Sequence, residues 1–263
     1  MRIVSLNAWG GREWPALAAW LPEIGADVLC LQEVIRAAEP SPDWLVYADP
    51  FRTLDQRADL FADVSRCLPG HAGWFSAAAQ GPLRDAEGRV YRSDHGLGLW
   101  HRRDLAVTAV EDGFVHGSYR VEGWGAEPVP RRMQAVRVAG LVVAHLHGLR
   151  DPAGKGDTPA RADQAHALRA GLERLAQPGD RIVLGGDFNL LPGSETFDIL
   201  APLSLKDLVT ARGIKGTRTA LYEKPQRHAN YMLVTPNVEV RAFEVPATPI
   251  LSDHRPLILD IED

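Results

Sequence analysis

The sequence has few cysteines, no long apolar stretch and no block of positive charge. Cys30 and Cys67 are the only cysteines among 263 residues. Two cysteines exclude a disulfide-rich scaffold, and we expect a cytoplasmic protein. No segment has the roughly 18 consecutive apolar residues that span a bilayer, and the first residues do not resemble a signal peptide. We therefore expect no stable membrane association, and we expect a monomer.

Positive charge is spread along the chain rather than gathered in one region. The net charge is −5, and only four of the 29 basic residues are lysines. Proteins that hold long nucleic acids carry a basic stripe, because phosphate neutralisation supplies most of their affinity. A nuclease with a long footprint is therefore disfavoured, whereas a short oligonucleotide, a nucleotide or a phospholipid head group stays open. A serine hydrolase is excluded because the sequence has no Gly-x-Ser-x-Gly elbow.

Hydrophobic periodicity predicts an α/β protein. A strand over residues 2–7, a helix over 14–24 and a nearly all-apolar strand over 27–33 form a strand–helix–strand opening. Further helices are predicted over residues 54–68, 157–176 and 194–200, and further strands over 71–78, 96–101, 107–110, 134–138, 141–146, 181–185, 231–234, 238–245 and 255–261. Residues 112–130 are rich in glycine and proline and are predicted to be irregular. Because neither a repeat nor a low-complexity linker occurs, residues 1–263 are expected to form a single domain.

Polar side chains stand at the ends of several predicted strands. In layered α/β folds, such residues at one set of strand ends line the crevice where ligands bind. Each of them taken alone is equally well explained as an ordinary cap or turn residue. The residues at these positions are Asn7, Glu33, His145, His147, Asp187, Asn189, Asp253 and His254.

The carboxylates of this set are suited to hydrolysis of a phosphoester. That reaction needs neutralised phosphoryl charge, an aligned water and a stabilised leaving group. Glu33 and Asp253 are suited to a hard cation such as Mg²⁺, which takes one or two carboxylates together with waters and substrate oxygens. Asp187 could orient or deprotonate the attacking water.

The amides and imidazoles could supply the remaining interactions. Asn7 and Asn189 can donate amide hydrogens to a phosphoryl oxygen. His145 and His254 can supply protons or stabilise a charged transition state near neutral pH. His147 lies two residues beyond His145, and therefore on the same face of the strand.

Five segments occur in order along the chain: Ser-Leu-Asn-Ala-Trp-Gly, Leu-Gln-Glu-Val, Ala-His-Leu-His, Gly-Gly-Asp-Phe-Asn and Ser-Asp-His-Arg-Pro-Leu. Together they resemble the endonuclease/exonuclease/phosphatase superfamily, over residues 2–259. The resemblance implies a four-layered α/β sandwich, in which two packed mixed β-sheets are flanked by helices. It also implies that Mg²⁺ or Mn²⁺ is the cofactor.

The resemblance assigns roles to individual residues. It implies that Glu33 binds the metal ion, that Asp187 positions the nucleophilic water and that Asn189 contacts the phosphate. Asp253 and His254 match the terminal pair, whose histidine touches the scissile phosphate. Asp253 and Asn7 are further candidate metal ligands, and Asn7 is also a candidate substrate contact. The strand histidine of the family aligns best with His145, and His147 is the second choice and a candidate substrate contact.

The chain departs from the family pattern at Asn230. Family members usually have an aspartate there, which hydrogen-bonds the terminal histidine. An amide can orient His254 but cannot stabilise its charged form, so we expect a lower pKa for His254 and slower turnover. Arg132 could contact the phosphate or be an ordinary surface arginine. Lys155, in the loop 148–158, could bind a substrate anion, although a solvated loop is the simpler reading.

Three functions remain open at this stage. The first is a divalent-metal-dependent phosphodiesterase or nuclease that acts on short nucleic-acid ends, nucleotides or a related diester. The second is a phosphatase or a sphingomyelinase-like phospholipase with the same chemistry. The third is a catalytically weak binding protein that has lost turnover through Asn230.

Overall fold

A computed structural model describes residues 1–49, 52–121 and 129–262. These residues form two β-sheets with helices on their outer faces. The strands are β1 (Arg2–Asn7), β2 (Val28–Ala37), β3 (Trp44–Asp49), β4 (Arg52–Arg57), β5 (His71–Arg84), β6 (Val90–Arg102), β7 (Val107–His116), β8 (Arg131–Val138), β9 (Leu141–His147), β10 (Arg181–Asp187), β11 (Lys206–Asp207), β12 (Asn230–Val234), β13 (Val240–Glu244) and β14 (Leu257–Ile261). The helices are α1 (Trp14–Glu23), α2 (Leu60–Cys67), α3 (Pro159–Leu175), α4 (Glu195–Leu200) and α5 (Leu208–Ala211), with 3₁₀ turns at Trp9–Gly11 and Ala201–Leu203.

Both sheets are mixed. The first has eight strands in the order β13-β14-β1-β2-β6-β5-β3-β4, and the second has six in the order β11-β12-β10-β9-β8-β7. β1 is parallel to β2 and β9 is parallel to β10, whereas β1 is antiparallel to β14 and β10 is antiparallel to β12. The predicted four-layered sandwich of two mixed sheets flanked by helices is confirmed.

Alternating side chains divide the core into layers. On β1, Ile3 belongs to the apolar cluster between the sheets, while its neighbour Val4 belongs to a second cluster on the outer face of the first sheet. The outer cluster includes Leu17 of α1 and Leu60 of α2. Leu168 of α3 belongs to the same cluster as Ile3, which also contains most of the buried apolar residues of the six-stranded sheet. Period-two alternation in the strands thus gives each sheet two apolar faces, and the helices cover the outer ones.

The register of the central strands aligns their polar ends. Asn7 lies opposite Gln32 in the first sheet, so Glu33 follows directly beside it. In the second sheet Asp187 lies between His147 on β9 and Asn230 on β12. Residues from separate parts of the chain therefore meet at one end of the sandwich.

Several elements differ from the sequence-based prediction: β3, β11 and α5 were not predicted, and two other stretches differ in kind or extent. Residues 54–68 were expected to be helical, but residues 52–57 form β4, which pairs with β3, and the helix begins only at Leu60. The strand ends at Arg57, and Asp59 caps the helix, because its side chain accepts a hydrogen bond from the Ala62 amide. The irregular region predicted over residues 112–130 begins later than expected, since β7 continues to His116. Residues 122–128 of that region lie outside the described part of the chain. No helix among the described residues is long and apolar enough to cross a membrane.

Candidate active site

Asn7 connects carboxylates from the two sheets. Its amide nitrogen Nδ2 lies 3.0 Å from Glu33 Oε1 and 3.0 Å from Asp187 Oδ2. Its Oδ1 accepts a hydrogen bond of 3.0 Å from the backbone N–H of Trp9. This contact orients the amide with its NH₂ group towards the carboxylates. The residue predicted as a substrate contact or metal ligand thus acts in this structure as a donor between two acidic groups.

Backbone strain marks the positions of Glu33 and Asn189. Glu33 has a φ of 54° and lies where the pairing of β2 with β6 shifts register between Gln32 and Val34. Asn189 has a φ of 56°. Such left-handed conformations are costly for residues with a side chain and occur often at functional sites. The Glu33 side chain at this bulge is 25% exposed, whereas the Asp187 side chain is 2% exposed.

Asp187 lies at the centre of the cluster. Its Oδ1 accepts the Asn189 N–H at 3.0 Å. Its Oδ2 is 3.5 Å from His254 Nε2 and 3.7 Å from His147 Nε2. Burial raises the pKa of Asp187, and the charges of neighbouring cations oppose that rise. The carboxylate is therefore more basic than an exposed one and has two imidazoles within 4 Å.

His254 is oriented by Asn230. The Nδ1–H of His254 donates to Asn230 Oδ1 at 2.5 Å, so Nε2 faces Asp187 and Asp253, whose Oδ1 is 3.7 Å away. Burial keeps the pKa of His254 well below its ordinary value, and Arg218 lowers it further. Asn230 adds no negative charge that would raise it. The amide Nδ2 of Asn230 is buried and has no hydrogen-bond partner among the described residues.

His147 lies on the opposite side of Asp187. Arg131 donates to its Nδ1 at 3.1 Å, so the ring directs Nε2 towards Asp187 and towards Glu33 Oε1, 3.9 Å away. The ring centroid of His95 is 6.3 Å from that of His147. Burial, together with Arg131, keeps the pKa of His147 well below its ordinary value. Both histidines of the cluster are therefore neutral.

The structure does not bring His145 and Arg132 into this cluster. His145 lies deeper between the sheets, where Gln32 donates to its Nδ1 at 3.0 Å and its Nε2–H donates to Gln134 Oε1 at 2.9 Å. Burial lowers the pKa of His145 to about 3. Arg132 forms an ion pair of 2.6 Å with Asp112. Strand geometry explains both positions, because His145 is about 7 Å along β9 from its last residue and Arg132 points away from the face that Arg131 uses.

Arg218, Tyr222 and Lys155 border the cluster. The sequence left Lys155 open as a residue that could bind a substrate anion, whereas it did not point to Arg218 or Tyr222. Arg218 Nη1 is 2.5 Å from Asp253 Oδ2, and the guanidinium lies 4.1 Å from the centroid of Tyr222. Burial raises the pKa of Asp253 to about 6, although Arg218 opposes this rise. Lys155 Nζ donates to the His228 carbonyl at 2.6 Å, and burial lowers its pKa to about 8. Arg218 belongs to an irregular segment, which carries no periodic signal.

The acidic side chains fit a magnesium-type site. Among residues 1–49, 52–121 and 129–262, no three His, Cys, Asp or Glu side chains are spaced to enclose a metal ion by themselves. Mg²⁺ does not need such a cage, since it is held by one or two carboxylates, waters and substrate oxygens. Glu33 and Asp187 converge on the same Asn7 nitrogen, and Glu33 is accessible to solvent. Glu33 could thus hold a hard divalent cation, with Asp253 as a second donor.

Comparison with known proteins identifies the family. The model of the Endonuclease/Exonuclease/phosphatase family matches residues 4–254, and the chain belongs to this family. It is a hydrolase of phosphoester bonds of that family, whose enzymes generally depend on a divalent metal ion. A search of curated proteins finds no significant match.

Solved structures share the fold. The mannosyl-6-phosphatase of Bacteroides thetaiotaomicron VPI-5482 is 16% identical, with a TM-score of 0.68 and full coverage of both chains. The human Nocturnin catalytic domain is 17% identical, with a TM-score of 0.65 and coverage of 100% of this chain and 93% of that chain. An AP endonuclease from Archaeoglobus fulgidus is 16% identical, with a TM-score of 0.63 and full coverage of both chains. At these identities the likeness concerns the fold.

Proposed function

We propose that the chain is a divalent-metal-dependent hydrolase that cleaves phosphoesters by attack of water on phosphorus. The observation that carries the proposal is the convergence on Asp187. Its Oδ2 accepts a hydrogen bond from Asn7 Nδ2, which also donates to Glu33. The Nε2 atoms of His147 and His254 lie within 4 Å of the same Oδ2. This arrangement combines an accessible carboxylate, a buried basic carboxylate and two imidazoles. Mg²⁺ or Mn²⁺, held by Glu33 with Asp253, would neutralise phosphoryl charge and polarise the ester.

Asp187 orients the attacking water and accepts its proton. Its raised pKa makes it a stronger base than an exposed carboxylate. The Asn189 N–H holds Oδ1, which leaves Oδ2 for the water. The Nδ2 of Asn189 donates to Gly148 O at 3.2 Å, and its second hydrogen can bind a phosphoryl oxygen.

His254 and His147 act on opposite sides of the reacting group. Because Asn230 accepts the Nδ1 proton of His254, the Nε2 of the neutral ring can take over the proton that Asp187, 3.5 Å away, removes from the water, and pass it to the leaving oxygen. Arg131 holds His147 in the tautomer that carries a hydrogen on Nε2, and that hydrogen can bind a phosphoryl oxygen. We thus assign the role of the family's strand histidine to His147, and His145 acts as a support behind it.

Phosphodiesters and phosphomonoesters are both compatible with this chemistry. The nuclease or phosphodiesterase acting on short nucleic-acid ends or nucleotides, and the phosphatase or phospholipase of sphingomyelinase type, all remain proposals at this level. The binding-protein alternative is disfavoured, because Asn230 keeps the hydrogen bond that orients His254.

The test is turnover of p-nitrophenyl phosphate and bis-p-nitrophenyl phosphate with Mg²⁺ or Mn²⁺. The wild type should hydrolyse at least one of them, and chelation by EDTA should abolish the rate. Asp187→Asn should lower kcat by about a thousandfold or more, as loss of a general base and its charge predicts. Asp198→Asn, on the exposed face of α4, is the matched control and should retain full activity. An active Asp187→Asn enzyme would refute the assignment.

A further inference from the structure

Two cations from separate loops meet beside the carboxylate cluster. Lys155 belongs to the loop after β9, and Arg218 belongs to the segment before β12. Both lie against the ring of Tyr222, with Arg218 Cζ at 4.1 Å and Lys155 Nζ at 5.7 Å from its centroid. We call Lys155, Arg218 and Tyr222 the cationic wall.

Arg218 retains an unused buried donor. Its side chain is 7% exposed, and one guanidinium nitrogen contacts Asp253. Its Nε is buried and has no hydrogen-bond partner within the described residues. A buried donor of a charged group is costly to leave unpaired, so an acceptor is expected when the site is occupied.

Lys155 is held in place although its loop is at the surface. The buried side chain of Arg161 donates to the carbonyls on both sides of it, those of Gly154 at 2.7 Å and of Gly156. Arg161 also reaches the carbonyl of Asn189 at 3.3 Å, which ties the loop to the end of β10. Lys155 Nζ donates one hydrogen to His228 O, and its charge interacts with the Asp187 carboxylate. Two ammonium hydrogens therefore remain for a ligand in a fixed position.

The charges of the site favour a dianion. Among the acidic side chains, lysine and arginines of the site, three carboxylates are matched by three cations. The carboxylates are Glu33, Asp187 and Asp253, and the cations are Arg131, Lys155 and Arg218. With the protein charges balanced, a divalent cation would leave two positive charges. A phosphomonoester carries nearly two negative charges above its second pKa of about 6, whereas a diester carries one.

We propose that Lys155 and Arg218 bind the terminal phosphoryl group of a phosphomonoester, and that they select monoesters against diesters. A monoester presents three charged non-bridging oxygens, which match the donors of the cationic wall and of His147 on the opposite side of the site. A diester puts an alkoxy group in place of one of these oxygens and leaves a buried cationic donor unpaired. This inference rests on the proposed function, because it concerns the substrate of the same site.

Binding of methyl esters tests the inference by affinity, because methoxide is a poor leaving group and each sample is assayed for released methanol after the titration. Methyl phosphate and dimethyl phosphate are titrated into the wild type by calorimetry at pH 7.5 with Mg²⁺. Methyl phosphate should bind at least about tenfold more tightly, as one charge-assisted hydrogen bond predicts. Lys155→Gln should lose about tenfold in methyl phosphate affinity and bind the two probes alike. Lys155→Arg should keep the preference, and Lys224→Gln, an exposed lysine near Tyr222, should change neither affinity.

The outcomes separate the two proposals. Equal affinities in the wild type, no binding of either probe, or a preference that persists in Lys155→Gln would each overturn the inference. The wild-type comparison needs no variant, so a destabilised Lys155→Gln protein does not block the test. Hydrolysis of p-nitrophenyl esters is measured separately. An enzyme that turns over esters but does not prefer methyl phosphate keeps the proposed function and loses the monoester assignment.

Discussion

Replacing Asn230 with aspartate should raise the pKa of His254 and accelerate turnover. The Asn230 Oδ1 atom lies 2.5 Å from His254 Nδ1, so a carboxylate there would face the imidazole directly. In the wild type the histidine is buried beside Arg218 and its pKa lies well below the ordinary value. The new carboxylate would also remove the buried Nδ2 group that has no hydrogen-bond partner among the described residues.

The size of the effect follows from two opposing charges. An opposite charge within about 4–6 Å shifts a pKa by about 1–3 units, and each unit corresponds to about 1.4 kcal/mol. Asp187 lies directly across the ladder from Asn230, so the new carboxylate also meets a like charge. We therefore expect the lower part of that range, about 1–2 units. If protonated His254 stabilises the transition state, kcat rises by about tenfold to a hundredfold.

The assay combines kinetics with the titration of the imidazole. The kcat for a p-nitrophenyl ester is compared between wild type and Asn230→Asp, and the His254 ring protons are followed by NMR against pH. Asn237→Asp, on an exposed turn, is the matched control because it adds the same charge elsewhere. A His254 pKa that rises in Asn230→Asp while kcat stays unchanged would refute the reasoning, since the charge would then be present but unused.

Three further changes test other parts of the site. The charged form of Lys155 predominates only below its pKa of about 8, so the affinity of the wild type for methyl phosphate should fall above pH 8. In Lys155→Arg that fall should disappear. Calorimetry across pH checks this, and pH-independent wild-type binding would contradict it. His145→Ala should lower the free energy of unfolding by roughly 2–5 kcal/mol in urea titrations, because a cavity forms and the amides of Gln32 and Gln134 lose buried partners; a loss below 1 kcal/mol would contradict it. Arg161→Met should destabilise the protein by roughly 2–4 kcal/mol, since several loop carbonyls lose their donor; an unchanged midpoint would show that the loop does not need it.

The sequence predicts the layers of the fold because their signals are local. Apolar strands with polar ends, such as β1 and β10, and a proline-led helix such as α3 carry their own patterns. β4 was missed because Leu54 is its only apolar residue, and it is a strand through pairing with β3. β3 was missed although five of its six residues are apolar, and it pairs with both β4 and β5.

The candidate site was predictable to the extent that its residues stand at strand ends. The structure brings Asn7, Glu33, Asp187 and His254 together as that rule suggests. The choice between His145 and His147 was beyond the sequence, since both share one face of β9 and only the strand's length decides which reaches the edge. Arg218, Tyr222 and Lys155 come from loops, whose paths depend on tertiary contacts such as those of Arg161. Lys155 was open from the sequence as an anion-binding residue of the loop 148–158, whereas the selection of Arg218 and Tyr222 requires coordinates.

The polar contacts of His145 affect how accurately the two sheets are aligned. An interface made only of aliphatic side chains allows small shifts at little cost, because dispersion contacts have no preferred direction. Hydrogen bonds are directional, and His145 joins Gln32 of the first sheet to Gln134 of the second. Gln32 is the residue before Glu33, so the spacing between the acidic groups of the two sheets depends on a contact outside the site. Substitutions in the interior of the sandwich can therefore alter reaction geometry while every residue that touches the substrate is left intact.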